Sequence, residues 1–396
     1  MSVNPGKRRK YLFLSHTNKV PNRILTMIEH FKKTNDVLLI NLQRDPFQKN
    51  NFSDIPHINI RADWSAKGLY LFYRKVRSAI KDIDFDLGYC GSIRLVPVLL
   101  VLRRGRRMAL VYDSIEITAI VASHKMATRL KFLPKRSIQT CFEAGENFLV
   151  KMMDGALVVD SKDHNLLNRF RKIQPNCECI MNFPSRNAEP DQEAVDHFRK
   201  QFKDRKVVVY AGSIFRAKGL YRYLDLAYRL KQDDPSILLV IVGVLRMNEA
   251  FSEIEQYVKR HGLTDHVLFM PWMSFSRLLA LLQFTRIGLA LLDPNFFYFH
   301  DVAIGRSRKP FTYMLAGVPV VVSLPLIRRF VEEKGVGCYV DYNDSEVIYK
   351  ALREILTDDQ LHREMSHRGR ELIEQECNWE NELFKAEKVF QRAMKG

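Results

Sequence analysis

Short continuous apolar runs alternate with helix-period stretches along the whole chain. The first half gives "KYLFLSH", helical "NRILTMIEHFKK", "DVLLINL", "FDLGYC", "MALVYDS", helical "FEAGENFLVKMMDG" and "GALVVDS". The second half repeats the habit with "KVVVYAG", "GLYRYLDLAYRLKQ", "SILLVIVG", "FSEIEQYVKRHG", "HVLFMPW", "FSRLLALLQF", "IGLALLD", "FTYMLAG" and "VPVVVS". Strands of unbroken Val, Ile and Leu, separated by helices, belong to parallel sheets covered on both faces. The fold class read from this pattern is α/β, with two doubly wound, Rossmann-like domains facing a cleft and ligands beyond the carboxyl ends of the strands. "LVPVLLVL" (Leu95 to Leu102) reads as a short buried element.

A polar, proline-bearing stretch, "NFPSRNAEPDQEA", separates the two series and suits a linker. The expected divisions are 1–184, 185–375, and a C-terminal helix over 376–396 that crosses back to the N-terminal domain. At 396 residues the chain has room for two ordinary domains. No apolar run approaches the roughly 20 residues of a membrane span, and the basic N-terminus runs into only "YLFL", so no signal peptide is expected. Six cysteines without a Cys-x-x-Cys spacing read as reduced thiols of a cytoplasmic protein. Cys177 and Cys179 have no companion ligands at zinc spacing, so no metal and no other cofactor is expected.

Charge sharpens the picture. The net +17 is uneven: residues 1–184 hold 31 Lys+Arg against 16 Asp+Glu, or +15, and the remainder 31 against 29, or +2. The first half therefore faces something acidic, or simply carries a basic solvated surface. "GLYLFYRKVRSAIKDI" and "IVASHKMATRLKFLPKRSIQ" mix apolar residues with Lys and Arg at helical spacing, which suits an anionic membrane surface or an ordinary packing helix. No nucleic-acid-binding motif accompanies the charge, so nucleic acid is not expected as a partner.

Candidate chemistry gathers at strand ends. "YAGSIFRAKGLYRYLDLA" runs from a strand through a glycine turn into a helix, the arrangement in which backbone amides and a helix start meet a phosphate. Gly212, Ser213, Arg216, Lys218 and Gly219 are its candidates, and Lys218 or Arg216 would add full charge. "KPFTYMLAGVPVVVS" places Lys309 at a helix start before a sharp Ala-Gly turn into a Val-Pro strand. Lys309 is a candidate contact there, or it is a solvated helix-start lysine.

These motifs, in this order, resemble the nucleotide-sugar half of a GT-B glycosyltransferase, most like family 4 (group 1). "VYDSIEI" is similar to that family's Tyr-Asp-x-His-Glu segment, and "ENFLVKMMDGALVVDS" to its Glu-to-Asp stretch. The resemblance implies transfer from a nucleotide-diphosphate-sugar to a glycan or lipid-linked acceptor, with retention of anomeric configuration. It implies that Lys218 holds the pyrophosphate, that groups near Pro271 and Trp272 meet the base, and that the helix with Lys309, Thr312 and Tyr313 faces ribose and phosphates. The departures are specific. The family's two glutamates fall on Ile304 and Thr312, its arginine after the first glycine is Ser213, and its histidine is Ile115. A neutral Thr312 hydroxyl gives a ribose less than a carboxylate would, by about 1 kcal/mol. His300 and Asp301 are candidates to contact the sugar instead, or they merely decorate a loop.

In the first half, "SHTNKVPNR" follows a strand, so His16, Thr17 and Asn18 are candidates for acceptor or phosphate contact, or form a polar turn. Asp113 and Glu116 end a strand, and either would deprotonate an acceptor hydroxyl in an inverting reaction. The reading that follows is a cytoplasmic transferase, peripheral on the inner face of the membrane. The alternative is a non-catalytic GT-B relative that partners an active transferase.

Overall fold

The computed structural model describes residues 8–16, 20–43, 54–115, 118–127, 133–159, 166–213, 219–243, 251–294 and 307–395. The chain divides into two compact units, one of residues 1–181 with 382–396, the other of residues 182–381.

The first unit runs β1 (Lys10–Ser15), α1 (Asn22–Phe31), β2 (Asp36–Gln43), β3 (His57–Arg61), α2 (Ala66–Ala79), β4 (Leu87–Cys90), α3 (Val96–Arg103), β5 (Ala109–Ser114), α4 (Thr118–Ala127), α5 (Lys135–Lys151), β6 (Gly155–Val158), α6 (Leu166–Arg171) and β7 (Cys177–Cys179). Its strands form a parallel sheet in the order β3-β2-β1-β4-β5-β6-β7. The order reverses between β1 and β4, the switch point where such sheets open a crevice. β1, β4, β5 and β6 are buried at nearly every position, which is why they are legible as unbroken apolar runs. The apolar stretch Leu95 to Leu102 is mostly helix α3, started by a proline in its first turn and bounded by Arg103.

Asp113, near the end of β5, is completely buried. Two guanidinium nitrogens of Arg23 on α1 reach its carboxylate at 2.7 and 3.0 Å, and the Tyr89 hydroxyl donates to it at 2.6 Å. The third Arg23 nitrogen donates to the Ile180 carbonyl at 2.7 Å. Burial alone would depress the Arg23 guanidinium, yet the adjacent carboxylate holds it above its ordinary value. Asp113 is thus a core counter-ion that ties α1 to the sheet, and its expected service as an acceptor base is corrected: both oxygens accept hydrogen bonds and the side chain is fully buried.

The second unit runs α7 (Gln192–Gln201), β8 (Lys206–Ala211), α8 (Leu220–Asp233), β9 (Ile237–Val242), α9 (Phe251–Arg260), β10 (Val267–Met270), α10 (Phe275–Leu282), β11 (Thr285–Ala290), α11 (Arg308–Leu315), β12 (Val320–Val322), α12 (Pro325–Lys334), β13 (Gly337–Tyr339), α13 (Ser345–Thr357) and α14 (Asp359–Gln375). The sheet order is β10-β9-β8-β11-β12-β13, all parallel, with its switch between β8 and β11. The last helix, α15 (Trp379–Ala393), starts in this unit and continues in the first. There Phe390 stacks on Phe31 of α1, with ring centroids 4.7 Å apart.

Removing Arg23 strands a buried carboxylate. Arg23→Ala is expected to cost the first unit about 3–5 kcal/mol, read as a lowered urea midpoint in circular dichroism. A change within experimental scatter contradicts the buried pair.

Candidate functional site

The second sheet ends in two glycines side by side. Gly212 follows β8 with φ +141°, and Gly243 follows β9 with φ +145°. A Cβ at position 243 would lie 2.0 Å from the Gly212 carbonyl oxygen, so only glycine lets the two strand ends approach so closely. Their N–H groups continue the ladder, Gly212 to the Val242 carbonyl at 2.8 Å and Gly243 to that of Met270 at 3.0 Å.

Helix α11 is fastened to this edge from the other side of the switch point. The buried Tyr313 hydroxyl accepts the Ala211 N–H at 2.9 Å and donates to the Leu289 carbonyl at 3.4 Å, bridging β8 and β11. Its ring needs the space above Gly288, where a Cβ would fall 2.3 Å from it. One turn earlier, Lys309 lies over the Tyr210 ring with its ammonium 4.1 Å from the centroid and donates to the Tyr210 hydroxyl at 2.7 Å. Tyr210 donates in turn to the Ser213 carbonyl at 2.8 Å. A Cβ at Gly212 would meet the Lys309 Cε at 2.6 Å, so the lysine occupies the space that this glycine leaves.

Beneath, the Tyr210 and Tyr223 rings pack at 4.9 Å, and Tyr223 exchanges two hydrogen bonds with the Leu291 backbone, at 2.8 and 3.2 Å. Burial raises the pKa of all three tyrosines, Tyr210, Tyr223 and Tyr313, so they remain neutral and add no negative charge. Helix α11 has no side-chain cap on its first turn and no acidic residue there. Its partial positive charge and the Lys309 ammonium reinforce each other at a strand-end crevice. Positive charge gathered in this way suits an anion.

Several expected residues take a different part. Tyr313 is fully buried and holds the backbone together, so it is corrected from a ligand contact to a clamp. Thr312 is buried too, and its hydroxyl proton goes to the Arg308 carbonyl at 3.1 Å within its own helix, leaving it only acceptor capacity. Gly219 starts α8 with φ +84° beside the Tyr342 and Tyr223 rings, and α8 likewise has no side-chain cap or acid in its first turn. Trp272 stands 61% exposed after β10. Thr17, Asn18, Glu116, Arg216, Lys218, His300 and Asp301 lie outside the described residues. Tyr210 and Gly243 were missed. A tyrosine interrupting an all-valine strand, and a second strand ending in glycine, were the available signals.

In the first unit, His16 follows β1 at the sheet's own switch point. Its ring meets Trp64 edge-on at 4.7 Å, and the Arg94 guanidinium lies over the same indole at 5.1 Å. Burial, with Arg94 adding repulsion, lowers the His16 pKa from 6.5 to about 4. It is neutral at physiological pH and lends no cationic charge to this edge, where Arg94, unforeseen from sequence, lies beside it on the Trp64 indole.

Residues 205–358, a stretch within the second unit, match the family described as Glycosyl transferases group 1. YtcC of Bacillus subtilis (strain 168), which carries a provisional glycosyltransferase name, is 24% identical over 191 residues. That alignment takes in 45% of this chain and 43% of YtcC, so the match spans less than half of the relative's length. Among solved structures, Anabaena HepE in complex with UDP superposes with a TM-score of 0.70 at 16% identity, over 96% of this chain and 99% of that one. Sucrose-phosphate synthase from Thermosynechococcus elongatus does so at 0.68 and 15%, over 98% and 100%. WaaG, a glycosyltransferase involved in lipopolysaccharide biosynthesis, does so at 0.63 and 13%, over 96% and 99%. The fold is GT-B, and the likeness to the group 1 glycosyl transferases is confined to residues 205–358.

The depressed His16 pKa has a stability sign. The unfolded imidazole takes its proton near 6.5 and the folded one near 4, so the contribution is full above 6.5 and is lost as pH falls toward 4. An imidazole NMR titration, assigned with His16→Gln, is expected to place His16 near 4; a midpoint near 6.5 contradicts its packing against Trp64.

Proposed function

We propose that the chain is a glycosyltransferase that moves a sugar from a nucleotide-diphosphate-sugar donor to a glycan or glycolipid acceptor in cell-surface polysaccharide biosynthesis. The carrying observation is Lys309, held on Tyr210 against Gly212 beside the uncapped start of α11. A cation and a helix start at a switch point stabilise the charge that builds on a nucleotide diphosphate as it leaves. HepE, solved with UDP and with UDP-glucose, supports a uridine donor among the UDP and GDP candidates. Retention of configuration, in which the departing phosphate takes the acceptor proton, fits the commitment of Asp113 to Arg23.

The acceptor is assigned to the His16, Trp64 and Arg94 edge of the first unit. Attachment to the inner face of the membrane is part of the same reading. Helix α2 exposes Tyr70 and Leu71 among Lys67, Arg74, Lys75 and Arg77, and α5 exposes Phe142 and Phe148 between Lys135 and Arg136 at its start and Lys151 at its end. Apolar side chains flanked by cations suit an anionic headgroup layer. No helix among the described residues is long and apolar enough to cross a membrane. A second reading, a non-catalytic partner of an active transferase, is favoured by Thr312, whose neutral, inward-committed hydroxyl stands where the family carries a glutamate.

Calorimetry with a panel of UDP-, GDP- and CMP-sugars is expected to find one that binds, and Lys309→Ala to weaken it about 10-fold or more. Binding of none overturns the donor reading. Turnover on any acceptor by the isolated chain excludes the second reading.

A further inference from the structure

The first sheet carries a polar cavity at the end opposite its switch-point edge. It has a volume of about 600 Å³ and lies where β1 and β5 begin and α15 ends. Five cations, Arg9, Arg103, Arg106, Arg107 and Lys395, line it against two acids, Asp86 and Asp154.

The acids are largely spent. Asp86 accepts the Lys10 N–H at 2.7 Å. Asp154 accepts the Leu110 N–H at 2.8 Å and pairs with Arg103 through contacts of 3.0 and 3.1 Å. Among the described residues, the remaining cations have no carboxylate within ion-pair distance. Arg106 donates to the Ile83 and Ile80 carbonyls at 2.6 and 3.1 Å, neutral acceptors that fix its direction and carry no counter-charge. Arg9 reaches the Met394 thioether at 3.7 Å, and Arg107 and Lys395 are exposed. Gly105, at φ +77°, makes the tight turn that brings Arg106 and Arg107 back beside Arg103, with the Arg106 N–H on the Arg103 carbonyl at 2.9 Å.

We propose that this cavity binds a phosphoryl group. Planar guanidinium forks converging on one concavity match a tetrahedral dianion, which accepts from several of them at once. The volume falls within the range of small-ligand sites. Nothing in the donor chemistry calls for such a cluster, because it lies at the amino ends of its strands and in the other unit. A soluble phosphate and a phospholipid headgroup present the same group, and the test separates them.

Inorganic pyrophosphate is titrated by calorimetry into the full chain, into the double variant Arg9→Gln with Arg107→Gln, and into Lys309→Ala. Arg103 and Arg106 stay, because they hold local structure. The double variant is expected to lose about 10-fold or more in one binding component that Lys309→Ala retains. Sedimentation with phosphatidylcholine–phosphatidylglycerol vesicles then assigns the source. A fall in vesicle binding in the double variant supports a headgroup, and unchanged vesicle binding with lost pyrophosphate supports a soluble ligand. Pyrophosphate affinity equal in the wild type and a double variant of unchanged thermal midpoint overturns the proposal. An effect of Lys309→Ala alone supports only the donor reading, so the two fail separately.

Discussion

The contact on which the candidate site depends is between a lysine and the absence of a side chain. Lys309 can lie along the end of β8 only because position 212 is glycine, and its ammonium stays there because the Tyr210 ring and hydroxyl hold it. Tyr313 sets the distance, since its hydroxyl joins α11 to the backbone of both strands at the switch point. Gly243 completes the arrangement by letting the second strand end close up behind the first. Three stretches far apart in sequence, at Tyr210 and Gly212, at Gly243, and at Lys309 and Tyr313, thereby hold a helix start and a lysine in one fixed place. Preorganisation of this kind lets a charge stabilise a leaving group without reorganising during the reaction.

The first unit answers a different demand. Arg23 and Asp113 are expensive to bury, and their bonds to Tyr89 and the Ile180 carbonyl use nearly all their polar capacity. The pair sits close to the sheet edge, where a catalytic carboxylate would also sit, and anchors α1 beside it. A charged pair at a strand end thus serves architecture in one unit, while at the equivalent end of the other a lysine is held on a tyrosine.

Much of this was legible in the sequence, for a physical reason. Strands buried on both faces must be apolar throughout, so β1, β2, β4, β5, β6 and the central strands of the second sheet announce themselves. The edge strands β3, β7 and β13 escaped notice because they are short and only partly buried, as in "HINIR" and "CEC". Gly212 and Lys309 were visible because strand–glycine–helix and helix–glycine–strand transitions are punctuated by residue type. Asp113, Thr312 and Tyr313 were misjudged because residue type does not reveal whether a polar atom is already spoken for. Tyr210 shows the converse: it looks like a core residue and is one, yet its hydroxyl positions the Lys309 ammonium.

The account stands on the seat at Gly212 and Lys309. A crystal structure of the full chain grown with UDP tests it most directly. The account predicts the diphosphate within hydrogen-bonding distance of the Lys309 ammonium and the first turn of α11, beside Gly212. UDP bound elsewhere, with Lys309 still lying on Tyr210 and no anion near it, would contradict it.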